Sequence, residues 1–217
     1  MLTLITGALA GAFHVLTGPD HLAAVAPLAT LDRRRGWLAG WTWGLGHASG
    51  VVVVAVAAAL LREMLPPVEA LSAWSERVVG GALIALGLWG LRQSLRIRAT
   101  GHAHGTVSHR HLHVQAGPLW LKRLGHVHAS FCLGILHGIA GSSHFFGVLP
   151  ALALPTREET LLYIAAFGAG TVAAMSAFAA LMGLASERAG HGRETPRLLL
   201  RLTALAAIAV GGYWLVG

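Results

Sequence analysis

Six ionisable side chains, His14, Asp20, His21, His47, His137 and His144, fall inside stretches that are otherwise apolar. Such groups are costly at membrane depth, so each is a candidate for function. The bland role for any one of these histidines is a hydrogen bond between packed helices, but five of them with an aspartate favour a metal site. Imidazole nitrogens with one carboxylate suit Ni, Co or Zn, whereas copper(I) would favour thiolate or thioether ligands. Sulfur donors are few. Met175 and Met182, seven apart, read as packing on one helix face, and Cys132 reads as a small buried hydrophobe.

On an unbroken helix His14 and His21 would lie about 10.5 Å apart along the axis, too far to share an ion at about 2.1 Å per bond. Gly18-Pro19 changes that spacing. Proline lacks a backbone donor and disfavours a helical residue before it, which predicts a break near Gly18. Pro19 then opens a second half-helix, with Asp20 in its first turn. Gly138, Gly141, Ser142 and Ser143 predict a second break, with Ser142 as N-cap and His144 in the place of His21. Discontinuous helices of this kind line the central sites of transporters.

The elements that must position these groups are membrane spans. The 217 residues are 55% hydrophobic and 12% charged, with a mean hydropathy of +0.64, outside the range of a soluble domain. Six apolar segments, 2–30, 36–61, 76–97, 129–154, 160–185 and 198–216, are each long enough to cross a bilayer. The expected fold is an all-α integral membrane protein of six transmembrane helices, with the first and fourth broken.

Positive charge is unevenly spread between the loops. Loops one, three and five carry Arg33, Arg34, Arg35, Arg92, Arg96, Arg98, Arg110, Lys122, Arg123, Arg188, Arg193, Arg197 and Arg201; loops two and four carry Arg62, Arg77 and Arg157. Thirteen against three places both termini outside and the third loop in the cytoplasm, for a chain in the plasma (inner) membrane. The same bias accounts for the net charge of +7 without nucleic acid as a partner. The start, Met-Leu-Thr-Leu, has no basic region, so the first segment is expected to stay as a helix. The single cysteine excludes an internal disulfide.

Laid against itself, the chain repeats. Gly11, His14, Gly18, His21, Val25 and Pro27 match Gly134, His137, Gly141, His144, Val148 and Pro150 at one offset of 123. Gly44-Leu-Gly46-His47 matches Gly168-Ala-Gly170-Thr171 at an offset of 124. Residues 1–97 and 129–217 therefore read as two three-helix repeats, and an odd helix count gives them opposite topology, the arrangement behind alternating access. Residues 98–128 join them as a histidine-rich cytoplasmic loop holding His102, His104, His109, His111, His113, His126 and His128. With no apolar period, the loop is expected to be flexible and to collect, buffer or sense metal ions, or to act as a plain linker.

His14 to His21 with Leu-Ala-Ala after it, Leu45-Gly46-His47-Ala-Ser, and Gly138-Ile-Ala-Gly-Ser-Ser-His144 through Pro155 resemble the nickel/cobalt transporter superfamily, in its short six-helix urease-accessory UreH-like branch. The family's signature H-x-x-x-x-D-H would map to His14, Asp20 and His21. Here five residues separate His14 from Asp20, so nickel selectivity does not carry over with the match. The resemblance implies that His47 also serves the ion path, and that the histidine-rich loop is similar to that of the nickel/cobalt efflux branch.

The function expected is a secondary-type transporter of a divalent transition-metal ion, Ni2+ or Co2+ foremost and Zn2+ next, coupled to protons through histidine. No prosthetic group is expected, and the ion is cargo. Expected partners are the ion, the lipid bilayer, and either a second copy of the chain or a metallochaperone at the cytoplasmic loop. No ATP-binding signature G-x-x-x-x-G-K-[ST] and no H-E-x-x-H motif occurs, so the chain is not expected to be an enzyme. The competing reading is a membrane redox protein whose paired histidines bind haem, which requires neither Asp20 nor helix breakers.

Overall fold

The computed structural model describes the backbone of residues 1–31, 35–60, 68–104, 107–114, 119–139, 150–151, 153–188 and 194–216. Side chains are described for 1–31, 35–54, 77–96, 128–139, 150–151, 153–188 and 197–216. His144 and the second expected break, with Gly141, Ser142 and Ser143, lie outside these residues.

The first apolar segment is broken where the sequence predicts. Helix α1 (Leu2–Thr17) stops before Gly18, α2 (Pro19–Leu31) starts on the proline, and the two axes differ by 76°. Gly18 has φ −89° and ψ 101°, the extended backbone that a following proline imposes on any residue. Gly18 N–H still donates to His14 O at 3.1 Å, and His21 N–H donates back to Gly18 O at 3.2 Å, so the chain turns without losing both helix ends.

The later helices are α3 (Gly36–Leu60), α4 (Val68–Arg96), α5 (Leu119–Ile139), α6 (Arg157–Arg188) and α7 (Glu194–Val216). Helix α5 begins inside the stretch read as a loop. The preceding part of that stretch is not structureless either: strands β1 (Ile97–His104) and β2 (Val107–Val114) pair as an antiparallel hairpin. Backbone pairing needs no apolar face, and the alternation here is of histidine rather than of hydrophobic residues. Register sets His102 opposite His109, Thr100 opposite His111 and Arg98 opposite His113.

Among the described residues, the stretches Arg77–Arg96, Arg157–Arg188 and Arg197–Val216 are long and apolar enough to cross a membrane, and the bent pair α1–α2 makes a fourth. Their outer faces are greasy: Leu9, Phe13, Leu16, Leu161 and Leu181 are all exposed. A surface this apolar would aggregate in water and is at home in lipid. The chain is a membrane protein of helices, and helices satisfy their own backbone groups in hydrocarbon.

Helix α1 packs on α6, α5 on α3, α3 on α6 and α4 on α7, with α2 wedged against α3, α6 and α7. Glycines set the closest of these contacts. A Cβ at Gly11 would strike the carbonyl of Phe167, one at Gly134 the carbonyl of Trp43, one at Gly46 that of Phe131 and one at Gly170 that of Ala8. Small residues let backbones touch, which is how helices gain contact where lipid is as apolar as leucine. The core around them holds Val15, Val25, Trp43, Leu83 and Met175, with Met182 partly buried against it, as expected for packing methionines. Cys132 departs from its expected burial and is exposed. Gly134 turns α5 towards α3, and two residues along a helix is about 200° of rotation, so Cys132 faces outwards.

Candidate metal centre

Five of the six candidate residues converge on one point. His14 comes from α1, Asp20 and His21 from α2, His47 from α3 and His137 from α5. Asp20, His21, His47 and His137 are 2%, 1%, 0% and 3% exposed, and His14 is half-buried. The break between α1 and α2 is what makes this possible, because it folds His21 back until its ring centre lies 4.5 Å from that of His14.

Two hydrogen bonds and one ion-pair contact link the groups in a chain. His21 Nδ1 lies 2.9 Å from Asp20 Oδ1, His137 Nε2 lies 3.1 Å from Asp20 Oδ2, and His21 Nε2 lies 2.9 Å from His14 Nε2. An ionised carboxylate only accepts, so Asp20 Oδ1 takes its hydrogen bond from a proton-bearing Nδ1 of His21, while His137 Nε2 stands beside Oδ2 at ion-pair distance. For a neutral His21 that assigns the ring proton to Nδ1 and leaves a lone pair on Nε2, with His14 Nε2–H donating to it. A carboxylate that holds the far nitrogen of an imidazole also orients the ring and makes it a better metal ligand. Asp20 itself stands in the first turn of α2, where the helix dipole favours negative charge.

Two sets of three groups are close enough to hold an ion: His14 with His21 and His47, and Asp20 with His21 and His137. Within each set the ligand atoms lie within 4.8 Å of one another. Opposite ligands across an ion with bonds of about 2.1 Å stand about 4.2 Å apart, so small side-chain movements complete either site.

Gly18 owes its identity to this centre rather than to its backbone. A Cβ there would lie 2.7 Å from His21 Nδ1 and 2.9 Å from Asp20 Oδ1. The sequence marked Gly18 only as a helix breaker. Two aromatic neighbours were not foreseen: Phe167, with its ring centre 5.6 Å from that of His14, and Trp43, 6.1 Å from that of His137. The signal was present, since the offset of 124 that equates Gly44 with Gly168 also equates Trp43 with Phe167.

No protein-family model matches the chain, and no solved structure matches it. Over 212 residues it is 36% identical to "Chloroplast protein FOR GROWTH AND FERTILITY 1" of Arabidopsis thaliana, covering 95% of this chain and 56% of that protein. Its likeness to "Chloroplast protein FOR GROWTH AND FERTILITY 2" of the same plant is 34% over 208 residues, covering 95% and 53%. The chain thus spans about half the length of these two relatives. It is 29% identical over 221 residues to "Urease accessory protein UreH" of Bacillus sp. (strain TB-90), covering 99% of this chain and 91% of that one. Similarity running along nearly the whole of both chains supports a UreH-like relationship for this membrane protein.

Proposed function

We propose that the chain is a secondary transporter that moves a divalent transition-metal ion, Ni2+ or Co2+ foremost, through the His14–Asp20–His21–His47–His137 centre. The observation that carries this reading is the convergence of four imidazoles and one carboxylate, from four helices, on a buried point beside a broken helix. The relative named as a urease accessory protein supports a metal-related role, because urease is a nickel enzyme. The centre combines nitrogen and carboxylate donors, which suits these ions.

The inverted three-plus-three repeat finds support in reciprocal packing. Helix α1 lies on α6 as α5 lies on α3. Gly11 abuts Phe167 as Gly134 abuts Trp43, and Gly46 abuts Phe131 as Gly170 abuts Ala8. Each of these pairs maps onto its partner at an offset of 123 or 124. In such a frame, rocking of the two halves would expose the centre first to one side and then to the other. Protons are the proposed counter-ion, since a metal needs the neutral imidazole and acidification displaces it. The proposed setting is the inner membrane with both termini outside and the hairpin in the cytoplasm, where a metallochaperone or a second copy would meet it.

A haem site fits less well. Haem between helices needs neither the Asp20 carboxylate held against His21 nor the break before Pro19 that brings His21 to His14. Uptake of nickel, cobalt, zinc and manganese ions into proteoliposomes, with and without a pH gradient, tests the proposal. Wild type should carry nickel or cobalt, and His14→Ala and Asp20→Ala should not. A folded wild-type protein that moves none of the four ions would overturn it.

A further inference from the structure

The centre has an internal symmetry that a single metal site does not need. His21 stands in the middle, with its ring centre 4.5 Å from that of His14 on one side and 4.7 Å from that of His137 on the other. The interplanar angles are 86° and 83°. His47 is similarly placed, 5.8 Å from His14 and 5.4 Å from His137. His14 and His137 are the repeat-related histidines, and each has its repeat-related aromatic neighbour, Phe167 or Trp43. The flanks differ in surroundings. His14 is half-buried at the end of α1, while buried His137 borders a cavity also lined by Trp43, Val79, Leu83 and Leu133.

The two nitrogens of His21 face opposite flanks. Nε2 points at His14 and Nδ1 at Asp20, each across 2.9 Å. We infer that the centre is two consecutive ion stations that share His21: one made by His14, His47 and Nε2 of His21, the other by Asp20, His137 and Nδ1 of His21. The inference rests on the transport reading above and adds the path of the ion within it.

Only one station holds an ion at a time. A neutral imidazole has one lone-pair nitrogen and one N–H, so His21 offers a ligand to one flank and a hydrogen bond to the other. With the ion on Nε2, the proton sits on Nδ1 and is held by Asp20, which acts as an orienting carboxylate. With the ion on Nδ1, the proton sits on Nε2 and faces His14, while Asp20 becomes a ligand. Between the states the Nδ1–H bond breaks with its proton passing to water, and an Nε2–H bond forms with a proton taken from water, so the ring carries one proton in both and its charge is unchanged. Two divalent ions at once would share a single carboxylate in a low-dielectric setting, where their repulsion is poorly screened. Passing the ion across one ring moves it from a ligand set anchored in α1 and α3 to one anchored in α5.

The test uses the full chain with the seven histidines between residues 102 and 128 replaced by serine, so that hairpin ions do not count. Bound nickel is measured by equilibrium dialysis in detergent, its ligands by X-ray absorption, and uptake in proteoliposomes. The expected result is one nickel ion per chain. His47→Ala should keep one ion, with an oxygen donor in its shell. His137→Ala should keep one ion with nitrogen donors from three histidines. Uptake should fall at least tenfold in both, and His47→Gln and His137→Gln serve where alanine prevents folding. Two ions per chain, or one and the same ligand shell in the two variants, overturns the two stations and leaves the transporter reading standing. Uptake without measurable binding does so too. A chain that neither binds nor transports nickel or cobalt overturns both.

Discussion

Replacing Gly18 with alanine isolates the geometry of the centre from the stability of the fold. Its φ of −89° and ψ of 101° are open to any residue, so the backbone accepts alanine without strain. The new Cβ is the difficulty. It would stand 2.7 Å from His21 Nδ1, where ordinary contact begins at 3.4 Å, so the ring must retreat by about 0.7 Å. Asp20 Oδ1, 2.9 Å from the same Cβ, must also move. The retreat strains the 2.9 Å hydrogen bond to Asp20 and pushes His21 against His14, already at 2.9 Å. Loss of an orienting partner costs roughly 10–100-fold in metal affinity, and a displacement near 1 Å is of the size that costs about 100-fold in a positioned site. Gly18→Ala should therefore lower nickel or cobalt affinity and uptake by about 10–100-fold, with a melting temperature in detergent close to that of wild type. Uptake within twofold of wild type would refute the claim that Gly18 is there for room. A large drop in melting temperature would refute the claim that its backbone is undemanding.

Gly11→Val and Gly134→Val should each destabilise the fold by about 1–3 kcal/mol through overpacking, because both drive a side chain into a neighbouring backbone, whereas Gly81→Ala and Gly212→Ala, with nothing within 4 Å, should leave the melting temperature in place. Acidifying the ion-entry side should weaken uptake, since protonated imidazole cannot bind metal; titrating nickel binding against pH should show loss on the acid side, and a flat profile would count against histidine ligation. Serine in place of His102, His104, His109, His111 and His113, which lie on the two paired strands, should lower the number of ions bound per chain while uptake at saturating ion persists, as equilibrium dialysis and flux together would show.

The break in the first span was legible because Gly18-Pro19 acts locally: proline fixes its own backbone and that of the residue before it, whatever surrounds them. Convergence of His14, Asp20, His21, His47 and His137 was legible for a different reason, that ionisable groups in apolar spans must find each other. What they do to one another was hidden. The roles of the two nitrogens of His21 depend on a 76° bend and on the approach of α3 and α5, which no local pattern contains. The hairpin escaped notice because its alternation is written in histidine instead of leucine or valine. Cys132 was misjudged because burial in α5 is set by which side carries Gly134, not by the polarity of the residue.

The cross-grip of α1 on α6 also sets a timetable for synthesis. Gly11 must wait for Phe167, 156 residues later in the chain, before its flat face is covered. At about 5–20 residues per second, that is a delay of roughly 8 to 31 seconds. Asp20 waits 117 residues for His137, so through much of translation it has His21 beside it without His137. The newborn bent helix is thus a client for whatever holds half-made membrane proteins at the insertion site, and a ribosome that stalls before α5 leaves behind a carboxylate still lacking one of its two histidines.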